Sequence, residues 1–119
     1  MDKKVISEID YLLIKEVKAL RIKKGISKAQ LSSKLKLASS FIGKVEDLSQ
    51  RDKYSIRHLP LLVKALDLKS IGQLFPKIPV NNIIEITYEK VAKLNKDGSE
   101  SKQFEEKIIQ IIPISKNYE

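Results

Sequence analysis

Ile9, Leu13, Val17 and Leu20 recur at three- and four-residue spacing, which predicts amphipathic helix over residues 5–24, as one long helix or two joined pieces. Ser7 and Asp10 are both candidates for its cap, and residues 1–8 read as a frayed arm or an extra turn. Gly25 ends the helix, since glycine takes positive φ without a Cβ clash. Ser27 opens the next one, and Gln30 three positions on completes a Ser-x-x-Gln capping box. Leu31 and Leu35 then share an inner face over residues 28–36. The pattern restarts at residues 39–46, with Phe41, Ile42 and Val45 inward and Ser39, Ser40, Gly43 and Lys44 outward. Helices this short are not stable alone and need a bundle around them. A fourth helix starting near Leu59-Pro60 offers Leu62, Ala65 and Leu66. A fifth, capped by Ser70, offers Ile71, Leu74 and Phe75 before Pro76 and Pro79 close the bundle.

From Val80 the period changes. Residues 83–91 are β-branched and aromatic with partial alternation, and a second run covers residues 104–114. Asp97-Gly98 lies between them, a hairpin turn signal. Helical spacing also fits Ile84, Tyr88 and Val91, and Phe104, Ile108 and Ile111, so a helix is the rival reading. An isolated two-stranded hairpin is marginal in water, so this one must pack on something. The expected fold class is therefore mainly α. Five helices fill residues 1–76, and a small C-terminal β-hairpin in residues 77–119 serves dimerisation or partner binding.

Arg21, Gly25-Ile26-Ser27, Leu31, Leu35, Ile42, Val45 and Glu46 together resemble the helix-turn-helix of the phage repressor and Cro (Xre-like) family. Leu59, Leu62, Ala65-Leu66, Leu68, Ser70 and Leu74-Phe75 match the helices that close such a domain. The resemblance implies a third helix that reads the major groove with Ser39, Ser40, Gly43 and Lys44. It implies phosphate contacts from Ser27 and Lys28 and from Lys53, Tyr54 and Arg57 in the loop of residues 47–57, which position without reading sequence. It also implies a structural ion pair between Arg21 and Glu46, because a guanidinium holds a carboxylate with two parallel bonds. Two residues depart from the family pattern. Lys28 stands where glutamine is usual and cannot accept a hydrogen bond, and Ser32 stands where alanine usually faces the next helix.

Charge strengthens the nucleic-acid reading. The net charge is +8, and all of it lies in residues 1–76, because residues 77–119 hold as many acidic as basic side chains. Such a basic half fits phosphate binding. The chain has no cysteine, which removes disulfides and thiolate metal sites. It has no apolar run of membrane-spanning length and no signal-like start, so a cytoplasmic, soluble protein is expected. No catalytic constellation, cofactor loop or metal spacing is present in the sequence, and the lone His58 reads as a surface or capping residue. The expectation is a non-enzymatic transcriptional regulator that binds duplex DNA as a homodimer through residues 80–114. The alternative is an antitoxin-like protein whose C-terminal segment binds a protein partner. A structural adaptor with a silent helix-turn-helix ranks third.

Overall fold

Ile84, Ile86 and Tyr88 are buried while their neighbours are not, the period-two burial of a half-covered strand. In a computed structural model, which describes residues 1–115, that strand lies at the centre of a three-stranded antiparallel sheet. The order along the chain is β1 (Asp2–Ser7), α1 (Glu8–Lys23), α2 (Lys28–Lys34), α3 (Phe41–Glu46) and α4 (His58–Ala65). A 3₁₀ turn (Ile71–Leu74), β2 (Ile83–Leu94) and β3 (Glu100–Ser115) follow. The fold is α+β, which corrects the expected mainly-α, five-helix bundle with a small appended hairpin.

Two local causes account for the correction. The fifth helix is a single 3₁₀ turn, because only Ile71–Leu74 lies between Ser70 and the Phe75-Pro76 stop. At the other end, residues expected to begin the first helix pair with the hairpin instead. β1 runs antiparallel to β2 with Ile6 opposite Ile84 and Lys4 opposite Ile86. A third strand gives the hairpin the stability that two lack. The helix therefore starts at Glu8, where the Ser7 Oγ accepts the Asp10 N–H at 3.2 Å.

Glu8 then fixes the entrance to β2. Its N–H donates to the Asn82 carbonyl at 3.0 Å, and its carboxylate accepts the Asn81 N–H at 3.1 Å and Nδ2 at 3.2 Å. Burial alone would raise the Glu8 pKa, but the bonds from Asn81 and Val80 outweigh it and hold the group below its ordinary value. Sheet and helices share one core. Ile6, Ile84, Ile86 and Tyr88 join Leu13, Val17, Leu31, Ile42, Leu62, Leu66 and Leu74 in it. In α1 the buried residues are Tyr11, Leu13, Ile14, Val17 and Arg21, while Ile9 stays largely exposed.

Candidate nucleic-acid interface

The α1–α2 corner is set by backbone hydrogen bonds. Gly25 takes φ +68°, its N–H donates to the Ile22 carbonyl at 3.0 Å, and the Ile26 N–H reaches the Arg21 carbonyl at 3.0 Å. This six-to-one and five-to-two pair is a Schellman end. α2 starts in a complete capping box: the Ser27 Oγ accepts the Gln30 N–H at 3.0 Å, and the Gln30 side chain accepts the Ser27 N–H at 2.8 Å. Its far end is the turn that leads to α3. Lys36 sits there at φ +58°, with its N–H on the Ser33 carbonyl and the Leu37 N–H on the Ser32 carbonyl.

Ser32 locks α2 against α3. It is fully buried; its Oγ donates to the Lys28 carbonyl at 2.9 Å and accepts the Ile42 N–H at 3.1 Å. The Ser32 hydroxyl thus becomes a polar joint at the first turn of α3, satisfying a donor that the helix start leaves open. Arg21 and Glu46 join α1 to the end of α3. Nε donates to Oε2 at 2.9 Å, Nη2 to Oε1 at 2.8 Å, and Nη1 to the Ile26 carbonyl at 3.0 Å. Both side chains are nearly out of solvent, so neither charge is affordable without the other.

On the solvent side, Ser39, Ser40 and Lys44 are exposed at the start and outer face of α3, as are Ser27 and Lys28 at the start of α2. Lys28 and Gly43 are neighbours: a Cβ at Gly43 would lie 3.8 Å from the Lys28 Cδ. That is an ordinary van der Waals distance, so the lysine stem lies against α3 at Gly43 without requiring glycine there. Lys53 and Arg57 are exposed in the loop before α4. No family model, curated protein or solved structure matches this chain. What the surface is for must therefore be argued from these residues alone.

Tyr54 is corrected. It was expected on phosphate but is only 6 % exposed. It packs edge-on against Phe41 and His58, with ring centroids 6.1 and 6.4 Å away. Burial, and then Glu46, push its hydroxyl pKa upward. It is a core residue of the α3–α4 loop and takes no part in the solvent-facing surface. His58 is likewise buried, which corrects the surface half of its reading as a surface or capping residue. Its Nδ1 accepts the Ser55 N–H at 2.9 Å, which leaves the ring proton on Nε2 and favours the neutral form. Burial, and then Arg57, lower its pKa.

The sheet contributes residues that no local pattern marks. Lys90 pairs with Asp47 at 3.3 Å and donates to the Ser49 Oγ at 3.1 Å. The Glu106 carboxylate accepts the Leu48 N–H at 2.9 Å, and the Lys4 Nζ donates to the Gln50 carbonyl at 2.6 Å. All three hold the segment that leaves α3. Burial raises the Glu106 pKa, although the Leu48 bond opposes the shift. Beyond these ties a cleft of about 760 Å³ opens between helices and hairpin, with Lys18, Lys28 and Gly43 on one wall and Lys93, Phe104 and Glu105 on the other. Among the described residues there is no group of three His, Cys, Asp or Glu placed to hold a metal ion. No helix of the described residues is long and apolar enough to cross a membrane.

Proposed function

We propose that this chain is a sequence-specific DNA-binding transcriptional regulator, working in the cytoplasm as a homodimer and without enzymatic activity. One observation carries the reading. α2 and α3 are short helices braced by Ser32 and by the Arg21–Glu46 pair, and α3 keeps Ser39, Ser40 and Lys44 turned outward, in the half of the chain that holds all the net charge. α3 has the size and surface to enter a major groove. Lys28, Lys53 and Arg57 take phosphates, and Lys44 is the side chain able to bond guanine O6 and N7. Residues 80–114 join two copies and so fix the spacing of two half-sites.

Titration with random-sequence and genomic duplexes at several salt concentrations tests this. Lys28→Ala and Arg57→Ala should weaken every sequence about equally, and each should reduce the salt slope by roughly one unit. Lys44→Ala should change which sequence is preferred. Failure to bind any duplex at low salt would end the DNA reading. The second reading, an antitoxin-like interaction protein, draws on the exposed isoleucines of β3. A second protein co-purifying in equal amount would favour it.

A further inference from the structure

β1 pairs with β2 only as far as Tyr88, which stands opposite Asp2. Past that rung β2 and β3 run on as a two-stranded arm, residues 89–94 against 100–107. Alternation identifies the face of the arm that looks toward the helices. Tyr88 is in the core, and two positions on Lys90 reaches Asp47 and Ser49. Glu106 stands opposite Lys90 and accepts the Leu48 N–H. One step further on the same face lies Ala92 with Phe104 opposite, and here the arm has left the helix layer. Phe104 is 63 % exposed and lines the cleft. The register shift between Ala92 and Leu94 turns Lys93 toward the same side.

Across the cleft stand Lys18 and the exposed Ile22 of α1, Lys28 of α2 and Gly43 of α3. Lys28 and Gly43 belong both to this cleft and to the surface proposed to meet DNA, so a molecule lying there has the arm on its other side. The charges select its chemistry. Of the carboxylates on the walls, Glu46 is held by Arg21, Asp47 by Lys90 and Glu106 by the Leu48 N–H. Among the described residues, Lys18, Lys28 and Lys93 make no ion pair, and Glu105 is the one wall carboxylate left to oppose them. Three ammonium groups from three elements, with Ile22 and Phe104 between them, suit a polyanion whose charges are separated by apolar units. A sugar–phosphate strand has that character.

We propose that one sugar–phosphate strand of a DNA duplex seated on α3 runs through this cleft, with Lys18, Lys28 and Lys93 on its phosphates and Phe104 against its deoxyriboses. This rests on the DNA-binding reading above and adds the arm as a second wall of that site. Phosphate contacts position without reading sequence, so arm variants should act alike on every duplex. Lys93→Ala should reduce the slope of log affinity against log salt by roughly one unit. Phe104→Ala should weaken duplex binding about tenfold with the slope unchanged, because it removes apolar contact and no charge. Lys102→Ala, on the same arm but outside the cleft, should change neither. Circular dichroism on each variant separates lost contact from lost folding. Duplex binding by the native chain that folded Lys93→Ala and Phe104→Ala variants leave untouched would overturn the arm contact and spare the DNA reading. A Lys102→Ala effect on the slope as large as that of Lys93→Ala would replace the cleft by general attraction and also overturn it. Variants that weaken a single-stranded oligonucleotide but no duplex would make the cleft a single-strand site, against the proposal. A native chain that binds no duplex at low salt would end both readings.

Discussion

Ser32 shows how much a single hydroxyl can decide. Its Oγ is the partner of the Ile42 N–H inside a joint with no solvent. Ser32→Ala should cost about 1–3 kcal/mol in urea unfolding, because a buried donor is left unpaired. A loss under about 0.5 kcal/mol would mean that the helices close up enough to satisfy Ile42 otherwise. Arg21 and Glu46 belong to the same scale. Removing either should cost about 3–5 kcal/mol, and an apolar double replacement much less than the sum. Simple additivity in a double-mutant cycle would contradict the bidentate pair. His58 makes stability depend on pH. Its folded pKa lies below the ordinary 6.5, so the unfolded chain binds the proton more readily. Its contribution is complete above about pH 6.5 and is lost as the pH falls through the folded pKa. Urea midpoints measured from pH 7 to 5 should fall in the native chain more than in His58→Gln. Glu106, with a raised pKa, acts in the opposite direction just above the ordinary carboxylate value of 4.5.

Among the elements, the helices α1, α2 and α4 end in the same way but with different residues. Gly25, Lys36 and Asp67 occupy the left-handed position at φ +68°, +58° and +55°. Ile26, Leu37 and Leu68 follow each of them and pack against the core. The motif requires the left-handed residue and the apolar one after it. Only Gly25 could be recognised beforehand, because lysine and aspartate carry no comparable signal. Left-handed backbone costs a non-glycine residue about 1–2 kcal/mol, and glycine loses about 0.5–1 kcal/mol in chain entropy. Lys36→Gly should therefore stabilise the fold by up to about 1 kcal/mol, and Gly25→Ala should destabilise it by about as much. Thermal melts of the two variants that moved in the same direction would refute this account.

At the scale of the whole molecule, the helices are not a free-standing unit. β2 places Ile84, Ile86 and Tyr88 in their core, and β1 is held by β2. Full burial of one such side chain stabilises by about 1.5–3 kcal/mol, and a domain of this kind has about 5–15 kcal/mol in all. A chain ending at Lys77 should therefore lose most of its cooperative unfolding transition, where a self-contained bundle would keep it. Removing residues 1–6 should have a smaller effect of the same sign, since it strips one strand and the buried Ile6. Calorimetry of both truncations checks the order.

The sequence by itself determined what local spacing determines: the amphipathic faces, the Gly25 stop, the Ser27 capping box and the outward polar set at α3, while for the segment after Val80 it left strand and helix both open. Each depends on residues a few positions apart, where period and side-chain reach suffice. Tertiary structure alone decided the rest. Residues 2–7 became a strand because β2, some eighty positions away, offered them an open edge. Tyr54 left the surface because Phe41 and His58 enclosed it, and Lys4, Lys90 and Glu106 gained roles only when the sheet met the segment after α3. Those outcomes turn on which surfaces meet in space, and residues so far apart in the chain carry no shared period that could announce it.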